Sequence, residues 1–152
     1  MTPPVRVGRT AFVLGFAGLL PQIAMVALIA ADLHGGYDLP IMAAYAYASL
    51  ILSFLGGMWW GFAMRREQRQ GVLTALAVLP SLVPLVIAPI AAVRWDWALP
   101  MSLLGIAIVL TLAVDWRLVA NGEAPPNWMR LRAPLSLGLG ALTIVAGVLA
   151  HP

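Results

Sequence analysis

Ile41 to Met64 reads IMAAYAYASLILSFLGGMWWGFAM and contains no charged side chain. A helix needs roughly 20 apolar residues to cross a hydrocarbon core about 30 Å thick. This stretch is long enough, and it ends abruptly in the polar run RREQRQG at 65–71. Working outward, four further windows have the same character: 11–31, 72–93, 99–114 and 133–150. The chain therefore reads as a single all-α domain over 1–152, an integral membrane bundle of five transmembrane helices.

Composition agrees. Hydrophobic residues make up 62% of the 152 positions and charged residues 10%. A soluble domain averages about a quarter charged residues, so the surplus apolar surface is expected to face lipid. Cysteine is absent, which excludes disulfides, thiolate metal sites and cysteine nucleophiles. The 9 lysine-or-arginine positions are all arginine. The lysine-free, alanine- and leucine-rich composition suits a high-GC bacterial genome. The first window follows Arg6 and Arg9 but exceeds the ~7–15 residues of a signal-peptide core, so it reads as an uncleaved span.

The arginines set the expected orientation. Arg6 and Arg9 precede the first window, Arg65, Arg66 and Arg69 follow the second, and Arg117, Arg130 and Arg132 lie between the last two. Those regions alternate onto one side of the membrane, and Arg94 alone is on the other. The positive-inside rule then predicts N-in/C-out topology in a bacterial cytoplasmic (inner) membrane. This asymmetry accounts for the net charge of +3 without a nucleic-acid partner. In the longest loop, Asn121-Gly122 and Pro125-Pro126 are turn signals. The following Trp128-Met129-Arg130-Leu131-Arg132 alternates apolar and basic residues, as expected of a short interfacial segment before the last helix.

Lipid gives helices little hydrophobic reason to associate, so small residues that let backbones approach are the expected contacts. Ser49, Ser53, Gly57 and Gly61 recur every fourth residue on the second span; Gly15 and Gly18 mark the first, and Ser136, Gly140, Thr143 and Gly147 the last. Such faces suit packing within the bundle, a membrane-protein partner or a homo-oligomer. Tryptophan and tyrosine cluster near predicted interfaces, as aromatic belts do. Trp59 and Trp60 are adjacent, so their side chains leave different helix faces and one is expected to face the bundle.

Proline removes a backbone donor inside a helix, and Pro80, Pro84 and Pro89 all fall in the third span. A broken helix at mid-depth can form a binding site. Candidate ligand-binding residues are therefore Pro80, Ser81 and Pro84, with Gln22 beside Pro21 on the first span and Trp59 or Trp60 as a floor. The expectation is one shared mid-membrane cavity. No ionisable residue falls clearly inside a window; Asp115 is nearest and is expected to pair with an arginine of the inner loops. His34, near Asp32 and Asp38, reads as a solvated loop histidine rather than a metal ligand, and His151 lies far from it in sequence. No serine elbow, phosphate loop or HExxH motif occurs, so no catalytic residue and no cofactor is expected.

The segment Tyr47-Ala48-Ser49-Leu50-Ile51-Leu52-Ser53-Phe54-Leu55-Gly56-Gly57-Met58-Trp59-Trp60-Gly61 resembles the signature of an uncharacterised bacterial inner-membrane family related to the mitochondrial transmembrane protein 69. Val78-Leu79-Pro80-Ser81 and the loop from Asp115 through Pro126-Asn127-Trp128 to Leu131-Arg132 extend the resemblance. It implies a five-helix inner-membrane protein and no particular reaction. Three function classes follow. One is a non-enzymatic accessory or assembly component of a membrane complex. Another is a protein binding or moving a small apolar or amphipathic molecule such as a lipid or quinone. The last and weakest is an intramembrane enzyme.

Overall fold

The computed structural model describes residues 6–31, 39–94 and 96–150, with the side chain of Arg94 outside the description. The structure is all-helical, with no strand among the described residues. Six helices follow in order: α1 Arg9–Ala17, α2 Leu20–Ala30, α3 Leu39–Ala63, α4 Gln70–Arg94, α5 Ala98–Ala120 and α6 Trp128–Leu149. Together α1 and α2 form the first of five spans long and apolar enough to cross a membrane. Each of the remaining four helices supplies one span. Trp128–Arg132 is helical and continuous with the last span.

The first span is divided where its sequence weakens it. Pro21 offers no N–H to the preceding turn, and Gly18, a poor helix former, lies just before it. The backbone tightens there, with Gly18 N–H on the Gly15 carbonyl and Leu19 N–H on that of Phe16, both at 3.0 Å. The Tyr47 hydroxyl on α3 donates to the Gly18 carbonyl, satisfying a polar group that lipid could not. The third span behaves in the opposite way. Helix α4 runs unbroken through Pro80, Pro84 and Pro89.

The first span packs on the second and last spans, the third packs on the second and fourth, and α5 and α6 pair most extensively. Glycine sets the closest approaches. A Cβ at Gly105 would lie 2.6 Å from the Gly140 carbonyl oxygen, and one at Gly147 only 2.5 Å from the Met101 Cβ. A Cβ at Gly56 would collide with the Ala77 carbonyl oxygen on α4 and sit 3.3 Å from the Pro80 ring. The buried core forms three layers along the bundle, centred on Ala44, Met101 and Ala146, then on Leu52, Leu104 and Leu139, then on Trp59, Leu73 and Leu118. Outside this core, Leu50, Leu85 and Val86 are each about 70% exposed, as expected of side chains that meet acyl chains.

The stripe Ser49, Ser53, Gly57 and Gly61 is not the packing face of α3 within this chain. Gly57 and Gly61 are exposed and have no neighbour within 4 Å of a Cβ position. The buried face instead carries Ala44, Ala48, Leu52, Leu55, Gly56, Trp59 and Ala63. Gly15 lies against Leu131 and Leu135, while Ser136, Gly140, Thr143 and Gly147 are buried on α6.

Candidate functional site

The buried polar groups concentrate where α3, α5 and α6 meet. Asp115 on the fifth turn of α5 is wholly buried. Its Oδ2 lies 2.8 Å from Nε of Arg132 on α6. Its Oδ1 accepts the indole N–H of Trp59 on α3 at 3.0 Å. One carboxylate thereby ties three helices. Arg132 is itself buried, inside α6 rather than in the loop where the sequence reading counted it. Two buried ionisable groups therefore lie within helices long enough to span, where the sequence placed none clearly inside an apolar window. Removing two charges from water is costly unless they pair and are further hydrogen-bonded; this geometry supplies the pairing, and Trp59 supplies the further bond to Asp115.

The pairing is incomplete on the arginine side. Arg132 Nη2, Trp128 Nε1 and Ser136 Oγ are buried and have no hydrogen-bond partner. All three side chains line a half-open cavity of about 420 Å³ between α1, α3, α5 and α6. Its walls are otherwise mostly apolar and include Gly15, Gly18 and Leu135. It reaches the outer surface at Leu14 and Phe54, which are 67% and 63% exposed. The three polar atoms are covered, so a group entering the cavity can reach them only by displacing the side chains that shield them.

Gln22, Pro80 and Pro84 do not line this cavity. Gln22 is fully buried and its amide donates to Thr143 Oγ1 on α6 at 3.3 Å; Thr143 in turn donates to the Leu139 carbonyl at 2.7 Å. The amide oxygen of Gln22 has no partner. Pro80 and Pro84 turn instead toward α3, where Gly56 accommodates the Pro80 ring and the Tyr45 hydroxyl donates to the Pro84 carbonyl at 2.6 Å. Ser81 is exposed, and Trp60 is 44% exposed while its neighbour Trp59 is buried. Of that tryptophan pair it is therefore Trp59 that faces the bundle, while Tyr45 and Tyr47, expected in an interfacial belt, make hydrogen bonds between helices.

At the same end of the bundle, Arg66 grips Glu123 through two bonds of 2.6 and 2.7 Å, tying the α3–α4 loop to the α5–α6 loop. Those Arg66 hydrogen bonds hold the Glu123 carboxyl below its ordinary value of 4.5, against the upward push of burial. Asn127 exchanges two hydrogen bonds with the Val7 backbone, which brings residue 7 to the start of α6. His34, His151, Asp32 and Asp38 lie outside the described residues. Among the described residues no group of metal-ligating side chains forms.

Arg132 is the principal site residue not singled out from sequence, although an arginine of its group was expected to pair with Asp115. A signal for it existed: Arg132 precedes Ser136 by four residues, so it extends the small-residue stripe of the last span by one turn.

Fold and interior together define a multi-pass helical membrane protein built around a buried ion pair. Within that class the chain belongs to the DUF3429 family, described as a protein of unknown function, whose family model matches residues 7–148. No curated protein and no solved structure matches the chain significantly.

Proposed function

We propose that this protein holds a neutral, carbonyl-bearing amphipathic molecule, a lipid or quinone, in the cavity between α1, α3, α5 and α6. The observation that carries this reading is the set of unpartnered polar atoms on Trp128, Arg132 and Ser136 around apolar walls. A buried polar atom left unpaired costs about 1–3 kcal/mol, which an incoming acceptor oxygen would recover. Indole and guanidinium nitrogens only donate and a hydroxyl can donate, so the ligand group must accept. Asp115 already balances the charge of Arg132. An anionic headgroup would leave a net buried charge, whereas a carbonyl leaves none. The volume falls within the usual range of small-molecule sites, and the opening at Leu14 and Phe54 gives an apolar tail a way into the bilayer.

Native mass spectrometry of protein extracted from its own membrane in mild detergent tests this. A retained neutral lipid or quinone is expected. It should be lost in Met58→Trp, which fills the cavity, and severalfold reduced in Ser136→Ala, both variants melting near the parent temperature. Absence of any bound molecule, or equal retention by Met58→Trp, would overturn the reading.

A second reading, an accessory or assembly component of a membrane complex, draws on the outward face at Gly57 and Gly61. There Gly57→Leu should release a partner chain or second copy without altering the fold, and unchanged oligomer size and partners would remove that role. Both readings take the protein to be a bacterial inner-membrane component with N-in/C-out topology, and both accommodate kinship with the mitochondrial transmembrane protein 69.

A further inference from the structure

A second recess lies apart from the ion-pair cavity. It is an open cleft of about 1030 Å³ between the ends of α3, α4 and α5. Phe62, Leu73, Leu76, Val114 and Leu118 give it an apolar floor, while Arg65, Arg69 and Arg117 stand on its rim. Two carboxylates share the rim, Glu67 and Glu123. Glu123 is already engaged on both oxygens by Arg66. Glu67 is then the one carboxylate of the lining that Arg66 does not engage, against Arg65, Arg69 and Arg117. Arg65, Arg69 and Arg117 are exposed.

The positive-inside rule explains why arginines collect on one side of a membrane. It does not explain why three of them ring an apolar cleft between helices. A basic pocket of that kind on the cytoplasmic side suits the headgroup of an anionic lipid. Guanidinium matches phosphate oxygens in a planar fork. We propose that this cleft binds an anionic phospholipid, its phosphate among Arg65, Arg69 and Arg117 and an acyl chain along the floor formed by Leu73, Leu76 and Leu118. The site is independent of the carbonyl ligand proposed above, since neither recess shares a lining residue with the other.

The test is lipid retention by the purified full chain, measured by native mass spectrometry with phosphatidylglycerol or phosphatidylcholine added. Phosphatidylglycerol should be retained in preference. Arg69→Gly with Arg117→Gln should weaken its retention roughly thirtyfold, the equivalent of about 1 kcal/mol for each arginine near the surface. Arg69 has φ 53°, a left-handed conformation that glycine adopts freely, so this variant removes charge without straining the loop. Arg6→Gln with Arg130→Gln removes the same charge from the same end but away from the cleft, and should leave retention unchanged. Arg65→Gln, on the rim, should reduce retention by itself, which keeps the comparison open if the double variant fails to fold. Equal retention of the two lipids overturns the proposal, as does an equal loss in the Arg6 and Arg130 control. So does displacement of phosphatidylglycerol by millimolar inorganic phosphate, which would make the cleft a site for a free anion.

Discussion

Asp115, Arg132 and Trp59 come from three helices and meet where water is scarce, so the free energy of each depends on the other two. Removing one partner of a buried pair strands the other charge, at a cost of about 3–5 kcal/mol. Arg132→Met should therefore lower thermal stability in detergent severely. Combining it with Asp115→Leu should restore much of the loss, because an apolar pair of similar volume has no charge to strand. A double variant less stable than Arg132→Met would show that the pair contributes through something other than charge compensation. Gln22 is a milder case. Its single bond to Thr143 is 3.3 Å long and its oxygen is unpartnered, so Gln22→Leu should cost roughly 0.5–1.5 kcal/mol, typical of interhelical hydrogen bonds in membranes. A loss as large as that of Arg132→Met would give Gln22 a role beyond helix packing. Glu123 makes a claim about pH. Its folded carboxyl titrates below the ordinary 4.5, so the Arg66 contact stabilises the fold fully above that value. The contribution fades as pH falls through the lower, folded value. Glu123→Gln should flatten the acid limb of a melting-temperature profile, and a limb of unchanged slope would count against it. These pairings were hard to read in sequence, because Trp59 and Asp115 are 56 residues apart and Arg66 and Glu123 are 57 apart. Spacing along one helix does not reveal which faces will meet.

At the scale of the elements, the extent of the spans was legible and their facing was not. Hydropathy alone locates a segment such as Ile41–Met64, because lipid requires apolar length. Packing depends on which side of that segment a neighbour covers, and α3 is apolar all round. Its every-fourth-residue stripe through Gly57 was the expected contact surface, and hydropathy does not set it apart from the leucine-bearing face through Leu52, Gly56 and Trp59. The structure buries the second. Gly56→Leu should therefore destabilise the bundle by about 1–3 kcal/mol or more, since overpacking a tight contact costs that much. Gly57→Leu, one residue later, should leave the melting temperature of the isolated chain unchanged. Equal effects would mean that the α3–α4 contact is not centred on Gly56. Proline likewise marked two spans but not the outcome in each. Pro21 follows a glycine whose carbonyl Tyr47 can satisfy, and the helix divides. The three prolines of α4 lie among alanine, leucine and valine, which favour helix or pack well in it, and with Gly56 accommodating the Pro80 ring the helix continues.

For the whole molecule, five helical spans are long and apolar enough to cross a membrane, and an odd number of crossings puts the two ends of the described chain on opposite sides. The hydrogen bonds of Val7 to Asn127 and of Arg66 to Glu123 gather three segments at one end of the bundle: the start of the first span, the α3–α4 loop and the α5–α6 loop. The arginines that set the proposed orientation are concentrated in those segments, yet they are not equivalent. Arg132 is buried against Asp115 and Arg66 is held by Glu123, so neither offers a free charge at the folded surface. Arg65, Arg69 and Arg117 remain exposed. With N-in/C-out topology, a reporter active only outside the cytoplasm should work when fused after Pro152 and fail when fused after Gln70. Orientation is chosen during insertion, before the ion pairs form, and the positive-inside rule counts arginines near span ends whatever their later partners. Replacing Arg65, Arg66 and Arg69 together by glutamine should therefore let part of the chain insert the other way round, raising the signal after Gln70 and lowering that after Pro152. Arg132→Gln should disturb the fold far more than the orientation. A fusion pattern opposite to this one in the parent chain would overturn the assigned topology and place the arginine-rimmed cleft on the outer face.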